Sequence, residues 1–286
     1  MDLSGRTNEW ADILRCPLCN GELALGRDWA ISSCGAKFPI VDGVLCTVQM
    51  GDLGRQAEIF SKAWRAGRSR QPDPANLHRL AALEPSFSGR VLDVGGGTGY
   101  LARSRPDLMV MTTDLVIDGL EDLGTRAVVC PIRQLPFKAQ AFDWVVALEV
   151  LEHLSTSDRT AAIDEVRRVL KPDGLFLVSV PTWPMATFEW LYRAIRHRCR
   201  PSLANLRIWD SNHETRFRRG ELEHQLVGFE LIARHEWCRS LASAGFLIVN
   251  PILNRFSLPG VDLSWLDRMI RVDSYSNLVL LSRRQR

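Results

Sequence analysis

The chain has 286 residues, 46% of them hydrophobic and 24% charged, with a formal net charge of +3. That length holds one large domain, or one of ordinary size with a small appendage, and the composition is that of a soluble globular protein. So weak a charge gives no general case for nucleic-acid binding, and no apolar run approaches the roughly 20 residues that span a bilayer. Seven cysteines without a secretory pattern argue for reduced thiols or metal, and the expected location is the cytoplasm.

Residues 1–50 read as a small β module. Cys16-Pro17-Leu18-Cys19 is a C-x-x-C knuckle, and fourteen residues separate it from Cys34-Gly35-Ala-Lys-Phe38-Pro39-Ile40-Val-Asp42-Gly43. A ribbon-type zinc site needs two knuckles, because four ligands converge on one tetrahedral ion. The segment resembles the Trm112-like zinc-ribbon module often found on or beside methyltransferases, except that Ile31 stands where that pattern has the first cysteine of its second knuckle. The resemblance implies a structural zinc on Cys16, Cys19 and Cys34. The fourth ligand stays open between Cys46, a water, and a module without metal held together by Trp29, Phe38 and Ile40.

Residues 51–89 read as a linker with lid helices. Ile59, Phe60, Ala63 and Trp64 recur at helical spacing, and either pack in the core or cover a site. Arg65 to Pro74 is basic, then rich in Pro and Asp, as a loop is. Leu77, Leu80 and Leu83 form one face of a second helix over 75–84.

The stretch Arg90-Val-Leu-Asp93-Val-Gly95-Gly96-Gly97-Thr98-Gly99-Tyr100 predicts a buried strand, a glycine turn and a helix. Glycine tolerates positive φ there and lets the backbone approach a ligand without a Cβ in between. The glycines at 95, 97 and 99 lack the third glycine of a dinucleotide-binding G-x-G-x-x-G, since position 100 is Tyr. Asp93-Val-Gly95-Gly-Gly97-Thr-Gly99 instead resembles motif I of class I S-adenosylmethionine (SAM) methyltransferases. That resemblance implies SAM as cofactor, with Asp93, Gly95, Gly97 and Gly99 around its amino-acid end.

Met109 to Leu115 predicts the second strand. Its terminal Asp114 lies about 20 residues past the glycine turn, the offset at which a carboxylate meets ribose hydroxyls in such folds. Ala127 to Ile132 is the third strand and its exit. Relatives usually carry there an Asp for the adenine amino group; Pro131 cannot supply it, which leaves Ile132 with its backbone N–H and an apolar wall, and Leu115 beside it. Phe142 to Leu148 is the fourth strand, ending in Glu149-Val-Leu-Glu152-His153-Leu154. In ubiquinone-type methyltransferases a similar cluster lies beside the sulfonium and can hold a divalent ion, so Glu149, Glu152 and His153 form a candidate cation site. The other reading is loop positioning, with His153 as base or acceptor-orienting group, since an imidazole ordinarily titrates near neutrality.

Asp158 to Leu170 predicts an amphipathic helix stopped by Lys171-Pro-Asp-Gly174, and Leu175 to Val180 a fifth strand; this segment resembles the type-11 methyltransferase pattern. Beyond Pro181 the pattern weakens. Phe188, Leu191, Tyr192 and Ile195 share one face among arginines, which suits a lid helix, or peripheral membrane contact through 187–200. His213 sits in an H-x-x-x-F step ending at Phe217 and is a second candidate for reaching the acceptor. Two helix-to-strand corners compete near the end, Leu226 to Phe229 and Leu241 to Phe246. The second is preferred, with Phe246 to Val249 as strand six and Asn277 to Leu281 as strand seven.

The expected fold is therefore α/β: a Rossmann-like seven-stranded methyltransferase sheet over 90–286, with substrate-side insertions at about 181–219 and 251–276, behind a small zinc-ribbon-like module. The expected activity is SAM-dependent methyl transfer to an oxygen or nitrogen of a small-molecule acceptor, glycan- or lipid-linked acceptors included, with Glu149, His153 and His213 at the acceptor side. The alternatives are a ribosomal-RNA methyltransferase with a zinc module and a non-catalytic scaffold of the same fold.

Overall fold

A computed structural model describes residues 10–48, 57–58, 61, 87–182, 214, 217–218, 220–237 and 277–285. Its strands are β1 (Leu23–Leu25), β2 (Trp29–Ser32), β3 (Lys37–Val41), β4 (Val44–Cys46), β5 (Arg90–Val94), β6 (Met109–Asp114), β7 (Ala127–Val129), β8 (Phe142–Leu148), β9 (Leu170–Pro181), β10 (Phe229–Trp237) and β11 (Asn277–Arg284). Among the described residues all eleven join one sheet, in the order β1-β2-β3-β4-β7-β6-β5-β8-β9-β11-β10. Strands β7, β6, β5, β8 and β9 run parallel, while β11 lies antiparallel between β9 and β10.

The central strands are apolar on both faces, as burial beneath helices on each side requires. Leu92, Val145 and Ala147 face one core, together with Ala162, Ile163 and Val166 of the helix Thr156–Val169. Val91, Trp144 and Val146 face the other, with Phe87, Leu101, Leu120 and Leu123. The helix starts two residues before the expected Asp158, because Ser155 caps it by accepting the Asp158 N–H at 3.2 Å. Lys171 to Gly174 does not separate helix from strand. These residues form an irregularity inside β9, with Asp173 at φ 63° and Lys171 Nζ 2.8 Å from Asp143 Oδ1.

Two expectations about the sheet are corrected. The sheet does not stand apart from the module: the described residues of 90–284 contribute the seven strands β5 to β11, and β4 of the module pairs in parallel with β7 and extends the sheet by four. The strand that pairs with β11 begins at the first corner rather than the second: the helix Glu221–Gln225 turns at Gly228, φ 84°, into Phe229. Residues 246–249 lie outside the described residues, as do 183–213, 251–276 and most of 51–86. Of the expected lid helix, Ala57, Glu58 and Ser61 are described and helical, and Ser61 Oγ donates to Asp118 Oδ2 at 2.7 Å. No helix of the described residues is long and apolar enough to cross a membrane.

The module shares the core of the main sheet instead of hanging from it. Trp10 is fully buried and stacks on Phe142 at 6.3 Å, with the Arg90 guanidinium 6.0 Å from its ring. Leu14 bridges to Phe137, the Arg15 N–H donates to Pro136 O, and the Lys138 N–H donates to Ile13 O. Removing a large buried aromatic typically costs about 3–5 kcal/mol. Trp10→Ala is therefore expected to lower the stability of the whole chain by that order in urea denaturation, in one transition that includes the main sheet. A separate early transition leaving the main transition unshifted would mean that the module is an independent unit.

Candidate functional site

Strand β5 carries Asp93 and the glycine run to the carboxyl edge of the sheet. Gly95, Gly97 and Gly99 take φ values of 64°, 54° and 67°, the left-handed region that side chains resist. Space imposes glycine as well. A Cβ on Gly95 would stand 2.5 Å from Val150 Cγ2, one on Gly96 2.5 Å from Asp93 Oδ2, and one on Gly99 would run into Leu123 Cδ1. Val150 and Leu123 thus brace the bend from the protein side, while Gly95 stays exposed.

Asp114, at the end of β6, clamps the same bend. Its Oδ2 accepts the Gly97 N–H at 3.0 Å, and its Oδ1 accepts those of Leu115 at 2.7 Å and Val116 at 3.3 Å. A carboxylate oxygen accepts two hydrogen bonds, so Oδ2 keeps a lone pair for a ligand hydroxyl. Asp93 is held differently. It is 7% exposed, lies beneath Gly96, and receives a hydrogen bond from none of the described residues. Burial, and after it the charge of Asp114, push its carboxyl up to about 7. Burial also raises Asp114 against the opposing pull of its three N–H donors. No cationic side chain among the described residues offsets either shift.

The chemistry of this pocket follows from its charge. A pyrophosphate would bring further negative charge beside two carboxyls, one buried and one half-buried, whereas a ligand with cationic groups and vicinal hydroxyls would satisfy both. The third wall is Ile132, buried in the turn after β7, whose N–H donates to no described group. Leu115 is half-buried beside Asp114. On the other side, Glu149 leaves β8 with φ 57°, a strained torsion for a side-chain residue. Ser179 of β9 holds it there: the Glu149 N–H donates to Ser179 O and Oγ at 3.1 and 3.2 Å, and the Ser179 hydroxyl donates to Glu149 Oε1 at 2.8 Å.

Comparison with known proteins agrees with this geometry. Residues 92–178 match the family profile described as Methyltransferase domain. The ubiquinone/menaquinone biosynthesis C-methyltransferase UbiE of Bordetella parapertussis is 37% identical over 156 residues, covering 46% of this chain and 59% of that protein. The stretch is a class I SAM-dependent methyltransferase domain. The tRNA (carboxymethyluridine(34)-5-O)-methyltransferase of Arabidopsis thaliana is 35% identical over 105 residues, covering 35% of this chain and 26% of that protein. The chain thus spans less than two thirds of these curated relatives. Among solved structures, a chain from the complex of the Haloferax volcanii Trm112 methyltransferase activator with a candidate methyltransferase superposes with TM-score 0.53 and 16% identity, covering 79% of this chain and 98% of that one. The Burkholderia thailandensis 1,6-didemethyltoxoflavin-N1-methyltransferase, solved with 1,6-didemethyltoxoflavin and S-adenosylhomocysteine, gives 0.51 and 17%, covering 92% and 98%. At such identities the likeness is one of fold.

The methyltransferase domain does not gather the expected divalent-cation site. Among the described residues, the one group of His, Cys, Asp or Glu with ligand atoms all within 4.8 Å of one another is Cys16, Cys19 and Cys34. Glu149 is tied to Ser179, Glu152 is 1% exposed, and His153 Nε2 stands 3.8 Å from Glu152 Oε1. His153 itself sits half-buried in the turn Leu151–His153, beyond the bend's brace at Val150. His213 lies outside the described residues; Phe217, four positions on, is buried with the Arg159 guanidinium 5.1 Å from its ring.

The three cysteines do converge, as the knuckle spacing predicts. Cys16 Sγ and Cys34 Sγ are 3.9 Å apart, and Gly21 donates its N–H to Cys19 Sγ. Hydrogen bonding from Ser32, then from Gly21, lowers the Cys19 thiol to about 6, which favours the thiolate a metal requires. Three clustered thiols fit zinc as a donor set. Cys46 does not complete the set: it stands in β4 outside the group, pointing at Val44 O, and burial pushes its thiol up to about 11. Ser32, Ser179 and Val150 were not singled out from the sequence. The alternation of β2 alone would have found Ser32, since it turns Ile31 outward, 44% exposed, and Ser32 inward, 4% exposed.

The raised carboxyl of Asp93 gives a signed expectation for the unliganded protein. Below pH about 4 the group is protonated in both folded and unfolded chains and costs nothing. As pH climbs towards about 7, the unfolded chain ionises first and the fold loses stability. Asp93→Asn removes that loss, so at pH 8 it should raise the unfolding free energy by up to about 4 kcal/mol, the gap from the ordinary carboxylate value converted at 1.36 kcal/mol per unit. At pH 4 it should be near neutral. Equal effects at both pH values, read by chemical denaturation, would show that Asp93 is not held under this strain.

Proposed function

We propose that this chain transfers the methyl group of SAM to an oxygen or nitrogen of a small-molecule acceptor, glycan- or lipid-linked acceptors included, in the cytoplasm. The observation that carries the reading is the pair of carboxyls, buried Asp93 and half-buried Asp114, flanking a glycine bend with no cationic side chain among the described residues offsetting their raised values. Bound SAM would supply a methyl group on a cationic sulfonium, with a neutral thioether as leaving group. The residues of the chain then have mainly to bind, align and exclude water. Asp93 would hold the ammonium of the amino-acid end, and Asp114 the ribose hydroxyls through the lone pair left on Oδ2. Gly95, Gly97 and Gly99 would let the backbone approach the amino-acid end. Ile132 would offer its N–H and an apolar face to the adenine, with Leu115 as a further apolar contact. Glu149 forms the rim towards the acceptor, and His153, with His213 from beyond the described residues, takes the acceptor's proton or orients it.

In this reading the module is a structural zinc ribbon on Cys16, Cys19 and Cys34, fused to the edge of the catalytic sheet. An RNA acceptor is the second reading, supported by the tRNA methyltransferase relative. It requires phosphate contacts, hence a steep fall of RNA affinity with salt.

Calorimetry with SAM tests the proposal. Binding is expected for the intact chain. Asp114→Ala should weaken it roughly tenfold or more, the size of a lost charged hydrogen bond, with the unfolding transition kept. Absence of binding at millimolar SAM would sink the enzyme reading and leave the scaffold. Methyl transfer is then followed with labelled donor on small-molecule and RNA fractions; label on RNA alone would replace the small-molecule acceptor by the second reading.

A further inference from the structure

The thiol cluster has a fourth donor at its open corner. Ser32 Oγ lies 3.2 Å from Cys34 Sγ and 3.3 Å from Cys19 Sγ, and accepts the Cys34 N–H at 3.3 Å. The neighbouring hydroxyl, Ser33 Oγ, stands farther out, 3.9 Å from Cys19 Sγ. Local structure explains the choice. Strand β2 alternates, so position 31 points away from the cysteines and position 32 towards them. The Ser32–Ala36 turn, closed by the Ser32 N–H to Ala36 O and the Gly35 N–H to Ser32 O, then brings Cys34 back over Ser32. A fourth cysteine at position 31 would therefore face outward.

We propose that Ser32 is the fourth zinc ligand of the module, through its hydroxyl oxygen, giving a site of three sulfurs and one oxygen. This rests on the reading of Cys16, Cys19 and Cys34 as zinc ligands. The dimensions support it. Zinc–sulfur bonds of about 2.3 Å and a zinc–oxygen bond of about 2.0 Å, at tetrahedral angles, separate two sulfurs by about 3.8 Å and a sulfur from an oxygen by about 3.5 Å. The cysteine pair at 3.9 Å has the first spacing, and the Ser32 contacts fall a few tenths of an ångström inside the second, as donors drawn together by hydrogen bonds would. The position of Ile31, which reads as the loss of a ligand, instead leaves the corner to its neighbour. A neutral hydroxyl is a weaker donor than a thiolate, so the site holds its ion less tightly than a four-cysteine ribbon does.

The test uses the full chain, stripped with a chelator under reducing conditions and reloaded with one equivalent of zinc. X-ray absorption at the zinc edge should count three sulfurs and one light atom in the natural chain, and four sulfurs in Ser32→Cys. Competition with a chromophoric chelator should show Ser32→Ala binding zinc roughly tenfold or more weakly, the scale on which metal sites respond to a lost supporting group. The unfolding transition of Ser32→Ala with zinc absent serves as the folding control. If Ser32→Ala binds as tightly as the natural chain and Ser32→Cys stays at three sulfurs, Ser32 is no ligand, while the three-cysteine reading survives. If the natural chain takes up no zinc, the three-cysteine reading itself falls, and the proposal with it.

Discussion

Two carboxyls placed side by side at neighbouring strand ends, with no cationic side chain among the described residues offsetting their raised values, are the constraint on which the rest of the site depends. Strand β5 must end in Asp93 and β6 in Asp114, and their parallel pairing, Asp93 opposite Thr112 and Val94 opposite Thr113, brings both to one edge. Burial penalises both charges, and the charge of Asp114 adds to the penalty on Asp93. The fold tolerates Asp114 by feeding it three backbone N–H groups, which also fix the shape of the glycine bend. Asp93 receives no such help from the described residues. Its cost is one that a cationic ligand relieves, and stability given up in the empty state returns as affinity in the loaded one.

The same logic of support from neighbouring strands extends to the module. Parallel sheets leave an edge whose N–H and C=O groups need covering, and β4 covers the edge of β7, with the Thr47 N–H continuing the ladder to Val129 O at 2.8 Å. Packing of Trp10 on Phe142 and the hydrogen bond from Gln134 Nε2 to Pro17 O then fasten the knuckle-bearing segment to the turn that follows Ile132. The wall proposed for the adenine and the first cysteine knuckle are therefore mechanically joined. In the proposed zinc-bound module, loss of the ion would be felt at the proposed cradle from the side of Ile132.

Much of this was legible in the sequence because the features are local. The glycine spacing, the acid ending the second strand and the apolar runs of the central strands each depend on a few adjacent residues, and each stands where expected. What was not legible depends on partners distant in the chain. Nothing in Val44-Leu45-Cys46 announces that it will pair with Val128 and Val129, so the module reads as a separate piece rather than as four more strands of the same sheet. The two corners ending in Phe229 and Phe246 carry the same leucine-glycine-phenylalanine cues, and only pairing with β11 separates them. Lys171 to Gly174 carries proline and glycine, strong breaker signals, yet the Lys171–Asp143 ion pair and the surrounding β8–β9 pairing hold it within a strand. The cluster Glu149, Glu152 and His153 has ligand-like composition, but composition says nothing of where a strained turn points its side chains.

That turn shows how the acceptor side and the donor side are coupled. Glu149 takes a left-handed torsion at a cost of order 1 kcal/mol or more, held by the Ser179 hydroxyl and carbonyl one strand over. The bend this produces carries Val150 onto Gly95 and sets His153 one turn farther along. A shift in β9 would pass through Ser179 to Glu149, and from there both to the glycine bend and to the imidazole. The proposed donor cradle and the proposed acceptor rim thus meet at one strained residue, held in its left-handed torsion by Ser179.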